Sequence, residues 1–145
     1  MEVYTIGFTR TTAAEFFRRL KQAGIRRLID VRLNNTSHLA GFAKRDDLEF
    51  FLAEICGADY LHELRLAPTQ EMLDAYKRQK GSWEEFEERF LRLMAERQIE
   101  TVIEPQLFTG PAVLLCSEPT AERCHRRLIL EYLDDHWGNV EAVHL

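Results

Sequence analysis

The chain has 145 residues, of which 46% are hydrophobic and 30% are charged, as in an ordinary soluble globular protein. Its formal net charge of −5 argues against a protein that coats nucleic acid non-specifically, but leaves room for a local basic cleft. No apolar stretch approaches the ~20 residues that cross a bilayer, so we expect no membrane partner.

The length favours one domain, residues 1–145, with a sizeable core. The first residues, MEVYTIGFTR, read directly as a strand and lack the basic and apolar segments of a signal peptide. Three cysteines are an odd number, which does not indicate a disulfide framework. We therefore expect a cytoplasmic protein with reduced thiols.

The first part of the chain alternates β-rich segments with amphipathic helices. A strand in VYTIG precedes a helix in TTAAEFFRRLKQAG, where Thr12 and Glu15 form a capping box and Gly24 ends the helix. RRLIDVR predicts a second, buried strand. KRDDLEFFLAEICG predicts a second helix that ends before Gly57, and DYLHEL predicts a third strand.

Two helical segments, TQEMLDAYKRQ and SWEEFEERFLRLMAERQ, interrupt this alternation, and Ser82 with Glu85 opens the second of them. ETVIEPQLF is ambiguous, because Pro105 breaks either a helix or a strand there. AVLLC predicts a fourth strand and NVEAVHL a last one. Between them, AERCHRRLILEYLDDH predicts a helix with Thr120 as its N-cap and Cys124 in its first turn.

Strands separated by helices of this length predict βαβ crossovers. The expected fold is a three-layer α/β domain, with an open sheet of about five mostly parallel strands and helices on both faces. The segment of about residues 67–108 is a helical insertion between the third and fourth strands, either a lid over one rim of the sheet or a dimer interface. It carries a predicted packing stripe at Trp83, Phe86, Phe90 and Leu93.

Polar and reactive side chains gather at the carboxyl ends of the predicted strands, where open α/β sheets bind their ligands. The candidates for substrate binding are Gly7, Thr9, Arg10, Asp30, Arg32, Asn34 and Arg126. The candidates for catalysis are Cys116, Glu118, Cys124 and His125.

These residue types indicate nucleophilic chemistry on an anion. A thiol near a helix N-terminus has its thiolate stabilised by the helix dipole and by neighbouring His or Arg. Glu118 or His125 would act as general acid or base. Arg32 and Arg126 would hold an anion through paired hydrogen bonds.

Other interpretations of the same residues stay open. Cys116, Cys124 and a histidine could bind zinc or iron, although their spacing is not that of an established zinc motif. Cys116 could instead be a core residue, as we expect of Cys56, because free cysteine is often buried. Arg126 could belong to a solvated helix face, and Phe8 could line a pocket or pack on the first helix.

YTIGFTR, LIDVR, LAGFAK, YLHEL and LLCSE followed by CHRRL together resemble the uncharacterised bacterial and archaeal family known as domain of unknown function 488. The resemblance runs from the first strand to the last. It falls on Thr5, Ile6, Gly7, Asp30, Val31, Arg32, Gly41, Phe42, Cys116, Glu118, Cys124, His125 and Arg126.

The resemblance implies an α/β fold with an active or binding cleft, and it implies no particular reaction. Members of the family commonly carry a histidine and a serine after T-I-G, where this chain has Phe8 and Thr9. Any role of that histidine is therefore absent here or taken over, for example by His62.

Three functional classes remain. The first is an enzyme that acts on a small anionic substrate, such as a nucleotide or a nucleic-acid end, with Cys116 or Cys124 as nucleophile. The second is a metal-binding or redox protein that uses the same thiols. The third is a non-catalytic module in which Arg32, Arg126 and the helix N-terminus hold an anion. The gathering of Cys, His, Glu and Arg at one rim favours the first class.

Overall fold

A computed structural model contains one sheet of five parallel strands in the order β3-β2-β4-β1-β5. The strands are β1 (Glu2–Gly7), β2 (Arg27–Asp30), β3 (Asp59–His62), β4 (Ala112–Cys116) and β5 (Glu141–His144). This all-parallel sheet confirms the predicted α/β fold.

The structure describes residues 1–36, 41–118 and 121–145. Thr120, the predicted N-cap, and the first two residues of LAGFAK lie outside the described residues.

The helices are α1 (Ala13–Gln22), α2 (Arg45–Phe51), α3 (Gln70–Leu73), α4 (Trp83–Glu96), α5 (Ile99–Val102) and α6 (His125–Trp137). π-helical turns extend α2 and α3, over Leu52–Cys56 and Asp74–Arg78. The ambiguous segment ETVIEPQLF forms α5 and a 3₁₀ turn that Pro105 opens, as suits a residue without an N–H group. Within the described ranges, no helix has both the length and the apolar character needed to cross a membrane.

Side-chain caps explain where several helices begin. The hydroxyl of Thr12 accepts a hydrogen bond from the backbone N–H of Glu15 at 3.1 Å, and Ser82 accepts one from Glu85 at 3.1 Å. Both caps satisfy N–H groups that have no partner inside the helix. The last helix begins later than predicted, because Cys124 has an extended backbone with φ −141° and ψ 140°. Cys124 is therefore the N-cap residue of α6 and lies outside its first turn.

Each face of the sheet has its own hydrophobic core. On one face, α1 and α2 cover the sheet, and Phe16 and Leu48 pack with side chains of β1, β2 and β4. On the other face, α4 and α6 cover it, and Phe90 and Leu128 pack with alternate side chains of the strands. The alternation of side chains along each strand gives the sheet these two apolar faces.

The connections that leave the central strands diverge at their carboxyl ends. β1 and β2 lead to α1 and α2 on one face, whereas β4 lies between them and leads to α6 on the other face. The three strand ends are level, because Gly7 pairs with Cys116 and Asp30 pairs with Leu115. Such a divergence opens a crevice at the strand ends, where ligands bind in parallel sheets.

Candidate functional site

Cys116 and His125 meet where β4 ends and α6 begins. The sulfur of Cys116 lies 3.4 Å from Nδ1 of His125, and Nε2 of His125 lies 2.8 Å from the carbonyl oxygen of Val31. A carbonyl oxygen can only accept a hydrogen bond, so Nε2 carries a hydrogen. Nδ1 consequently faces the sulfur, either with its lone pair towards a thiol or with a second proton towards a thiolate.

The surroundings of Cys116 and His125 favour the form in which Cys116 is a thiolate and His125 is an imidazolium. Burial raises the pKa of the Cys116 thiol, but the hydrogen bond from Cys124 and the positive charges of His125 and Arg126 lower that pKa well below its usual value. Burial lowers the pKa of His125, and the negative charge of Cys116 together with the hydrogen bond to it outweighs this and raises the pKa. A thiolate beside an imidazolium is the reactive form of a cysteine.

Cys124 has the opposite character. Burial raises the pKa of its thiol, and the hydrogen bond to Cys116 and the negative charge there raise it further. Cys124 therefore remains a thiol next to the sulfur of Cys116. Both sulfurs and one ring nitrogen of His125 lie within 4.8 Å of one another.

Arg126 brings a buried positive charge to the two sulfurs. Its side chain is 1% exposed, and its Nη1 donates to the carbonyl oxygen of Glu118 at 2.7 Å and lies 3.6 Å from the sulfur of Cys124. Its Nε donates to the hydroxyl of Thr5 at 3.3 Å. Among the described residues, no carboxylate oxygen lies within 4.0 Å of its nitrogens. Because no neighbouring carboxylate neutralises the guanidinium, its charge acts on the thiols.

Gly7 permits a close approach between β1 and the loop that follows β4. A Cβ atom at this position would lie 1.6 Å from the carbonyl oxygen of Glu118 and 2.8 Å from Nη1 of Arg126. The backbone N–H of Thr9 donates to the carbonyl oxygen of Ser117 at 3.1 Å, and the hydroxyl of Thr9 donates to the same oxygen. Gly7 and Thr9 thus hold the loop that carries the cysteine.

Asp30 holds the guanidinium of Arg32. Nε of Arg32 donates to Oδ1 of Asp30 at 2.8 Å, and Nη2 donates to Oδ2 at 2.7 Å and to the carbonyl oxygen of Ala43 at 2.8 Å. The hydroxyl of Tyr60 donates to Oδ2 at 2.6 Å. Burial, the charge of Asp30 and that hydrogen bond raise the pKa of Tyr60, so the hydroxyl stays protonated.

A second set of contacts fixes the backbone at Arg32. Nε2 of His62 donates to the carbonyl oxygen of Arg32 at 2.6 Å, and Nδ1 accepts from the side-chain amide of Asn35 at 3.1 Å. The ring of Phe8 lies below Arg32, with Cζ of Arg32 5.2 Å from its centroid, and belongs to the core beside Phe16. Phe8 therefore packs on the first helix and also contacts a cleft residue.

A cleft of about 300 Å³ opens at the strand ends, with Cys116 in its lining. Its polar lining includes Arg32, Asn34, Gln70, Lys77, Arg78, Glu118, Arg123 and His125, and its aromatic lining includes Tyr76, Trp83 and Phe86. The helical insertion therefore forms one wall of the cleft.

Lys77 and Glu118 form an ion pair between the two sides of the cleft, with Nζ 2.6 Å from Oε1. The side chains are 53% and 37% exposed, so the pair lies at the rim. Burial lowers the pKa of Lys77, and the hydrogen bond to Glu118 together with the negative charges of Glu118 and Cys116 outweighs this and raises the pKa. Lys77 is thus a charged group at the rim of the cleft.

The structure brings part of the predicted site into one cleft. The predicted residues in its lining are Cys116, Glu118, Cys124, His125, Arg32 and Asn34. Asp30 and Arg126 lie behind them, and Gly7 and Thr9 hold the loop. Arg10 is exposed with a left-handed φ of 61° and lies outside the lining.

Sequence reasoning missed Lys77, Arg123 and Tyr60. Lys77 comes from the insertion, whose position relative to the strand ends no local pattern gives. Trp83 and Phe86 pack as the predicted stripe and also line the cleft. Tyr60 could have been found, because it precedes the end of β3, the strand that neighbours Asp30.

Comparison with protein families gives a match over residues 12–133 to the family described as domain of unknown function DUF488. The matched segment covers α1 to α5 and the part of α6 up to residue 133, and it includes Asp30, Arg32, Cys116 and Arg126. No curated protein matches the chain, and no solved structure matches it.

Proposed function

Because the chain belongs to this DUF488 family, whose description gives no reaction, we propose a function from the cleft: an enzyme that uses the Cys116 thiolate as nucleophile on a small anionic substrate. The observation that carries the proposal is the 3.4 Å contact between Sγ of Cys116 and Nδ1 of His125. The other ring nitrogen of His125, Nε2, donates a hydrogen bond to the carbonyl oxygen of Val31, which orients the ring. A nucleophile beside a base that a third group orients is the arrangement of covalent catalysis.

Of the two thiols near His125, Cys116 is the nucleophile. Its sulfur has the direct contact with the imidazole, whereas Cys124 contacts Arg126 and the sulfur of Cys116. Cys116 is also the last residue of β4, at the strand end where the cleft opens.

Cations around the thiolate support an anionic substrate. Arg32, Lys77, Arg78 and Arg123 line the cleft, where they outnumber the carboxylates of Asp74 and Glu118, and Arg126 lies behind it. Asp30 and Ala43 engage Nε and Nη2 of Arg32, which leaves Nη1 with no hydrogen bond to another described residue. A guanidinium held in this way can bind a phosphate or a carboxylate without first losing side-chain freedom.

The roles follow from the contacts. The thiolate of Cys116 attacks the electrophilic centre of the substrate, and the leaving group takes the proton from Nδ1 of His125. Water then attacks the thiol-bound intermediate and gives its proton back to Nδ1, which restores the thiolate–imidazolium pair. Glu118 holds Lys77 at the rim. The aromatic side chains Tyr76 and Trp83 suit a substrate that carries a ring, such as a nucleotide.

Competitive alkylation tests the proposal without a known substrate. The quantity compared is the ratio of the alkylation rate with iodoacetate to the rate with iodoacetamide. We expect this ratio to be about tenfold higher at Cys116 than at glutathione, because the cations of the cleft concentrate an anion. Cys56, on the opposite face of the sheet, serves as the internal control, and peptide mass spectrometry reads both sites. An equal preference at Cys116 and at glutathione would contradict the anion-binding part of the proposal.

Turnover tests the catalytic part. A panel of aryl phosphates, nucleoside monophosphates and anionic carboxylic esters is assayed with the wild type, Cys116→Ser and Cys56→Ser. We expect any turnover to disappear in Cys116→Ser and to persist in Cys56→Ser, with a covalent adduct on Cys116 in the wild type. A Cys116→Ser variant that retains the wild-type turnover would exclude Cys116 as nucleophile.

A second candidate function is metal binding, because the sulfurs of Cys116 and Cys124 and a ring nitrogen of His125 lie within 4.8 Å of one another. The hydrogen bond from Nε2 to the carbonyl oxygen of Val31 would also suit a metal-bound imidazole. The positive charge of Arg126 near one sulfur disfavours a cation at this place.

A further inference from the structure

We propose that the cleft also reduces hydroperoxides, with Cys116 as the attacking thiolate and Cys124 as the thiol that closes an intramolecular disulfide. This activity shares with the proposed function the cleft, the thiolate of Cys116 and the proton on Nδ1 of His125. It adds a chemical step for Cys124, which takes no step in the nucleophilic mechanism.

The two sulfurs are already neighbours. They lie within 4.8 Å of each other, at the end of β4 and the start of α6. Only seven residues, 117–123, separate them along the chain. The third cysteine, Cys56, packs in the core on the other face of the sheet. A disulfide that forms in one chain therefore joins Cys116 to Cys124.

The first chemical step breaks the O–O bond. The thiolate of Cys116 attacks one oxygen of the hydroperoxide, the sulfur gives up two electrons, and the O–O bond accepts them. Cys116 becomes a sulfenic acid, and the leaving alkoxide or hydroxide takes the proton from Nδ1 of His125. The product that leaves is an alcohol or water.

The second step forms the disulfide. The sulfur of Cys124 attacks the sulfur of the sulfenic acid and displaces its hydroxyl group, which leaves as water with the proton of Cys124. A low-molecular-weight thiol from solution then reduces the disulfide by two successive exchange reactions and restores both cysteines.

The contacts of the two sulfurs set the order of these steps. The sulfur of Cys116 lies 3.4 Å from Nδ1 of His125, the group that protonates the leaving oxygen. The sulfur of Cys124 lies 3.6 Å from Nη1 of Arg126 and within 4.8 Å of the sulfur of Cys116. Cys116 therefore meets the hydroperoxide beside its proton donor, and Cys124 is the second thiol.

Both cysteines are reached only through the cleft. Cys116 and Cys124 line it and are buried, with 4% and 1% of the residue exposed. A hydroperoxide must therefore enter the cleft to meet either sulfur.

The test oxidises the reduced 145-residue chain with one equivalent of hydrogen peroxide, alkylates the remaining thiols, and maps the peptides by mass spectrometry. We expect a Cys116–Cys124 disulfide within one chain, an alkylated Cys56, and full reversal by dithiothreitol. Cys124→Ser should accumulate a sulfenic acid on Cys116 that dimedone traps, and Cys56→Ser should behave as the wild type. Catalytic consumption of peroxide with dithiothreitol should disappear in Cys116→Ser.

Three outcomes in the wild type would overturn the inference, and none of them depends on the folding of a variant. They are an unreacted Cys116, a sulfenic or sulfinic acid on Cys116 with Cys124 still alkylated, and a disulfide that involves Cys56. If no Cys116–Cys124 disulfide forms while Cys116 still prefers iodoacetate, the inference fails and the proposed function stands. If the disulfide forms but no preference for iodoacetate exists, the proposed anionic substrate fails instead.

Discussion

Asp30 and Arg32 form a buried bidentate ion pair, with Nε 2.8 Å from Oδ1 and Nη2 2.7 Å from Oδ2. Asp30 is 0% exposed and Arg32 is 4% exposed. The pair joins the end of β2 to the cleft, because Asp30 is the last residue of the strand and Arg32 lines the cleft. A cation at the cleft therefore depends on a carboxylate that no substrate can reach.

Replacement of Asp30 by Asn should lower the free energy of unfolding by about 3–5 kcal/mol, because it leaves Arg32 buried without its partner charge. Urea titration measures the change. The double variant Asp30→Asn, Arg32→Met should lose less, since it removes both charges. Glu15→Gln, at an exposed pair with Arg19, is the control and should lose less than about 1 kcal/mol. A cost at Asp30 no larger than at Glu15 would contradict the role of the buried pair.

Replacement of Gly7 by Ala should destabilise the protein by about 3 kcal/mol, because the new Cβ would lie 1.6 Å from a backbone oxygen that no rotamer change can move. Thermal unfolding followed by circular dichroism measures the loss. Gly41→Ala is the matched control, since its Cβ would meet no atom of the described residues within 4 Å, and its stability should stay near that of the wild type. Equal stability of the two variants would contradict a close approach of Gly7 to the carbonyl oxygen of Glu118.

Replacement of Lys77 by Gln should reduce the preference of Cys116 for iodoacetate over iodoacetamide, because it removes a cation at the rim of the cleft. The stability should change by less than about 1 kcal/mol, since the ion pair with Glu118 is half exposed. The preference should also weaken as salt is added. Arg92→Gln, at an exposed pair on α4, removes the same charge away from the cleft and should leave the preference unchanged. A similar loss in both variants would indicate a general charge effect.

Chelation distinguishes the proposed role of Cys116 as a nucleophile from its alternative role as a metal ligand. We expect EDTA to leave both the alkylation rate of Cys116 and the melting temperature unchanged, because His125 and Arg126 supply the positive charge at the thiolate. Elemental mass spectrometry of anaerobically purified protein, beside a Cys116→Ser, Cys124→Ser double variant, completes the test. Near-stoichiometric zinc or iron that disappears in the double variant would support the metal site instead.

The fold was predictable because local patterns specify it. AVLLC became a strand with all five residues buried, and Thr12 and Ser82 cap their helices as their spacing predicts. The start of α6 was not predictable from such patterns, because the sequence carries no local signal for the extended backbone of Cys124. Helix boundaries of this kind follow from tertiary structure.

The site was only partly predictable. The order of the strands decides which ends meet, and parallel pairing brings Cys116 beside Gly7 and Leu115 beside Asp30. The predicted strand ends were therefore sufficient to place Cys116 and Arg32 at the site. The anchor of His125 is a backbone carbonyl, Val31, which leaves no mark in the sequence. Lys77 reaches the cleft from the insertion, whose packing against the strand ends no periodicity encodes.

The measurement that tests the central claim most directly is the pH dependence of Cys116 alkylation by iodoacetamide, in the wild type and in His125→Gln. Circular dichroism of both proteins confirms that the variant is folded. In the wild type the rate should stay high well below the usual pKa of a thiol, and fall only as the pH drops through the lowered pKa of Cys116. In His125→Gln the midpoint should rise by about 1–3 pH units, because the neighbouring cation is gone. A wild-type midpoint at the usual thiol value, unchanged in the variant, would contradict a thiolate held by His125.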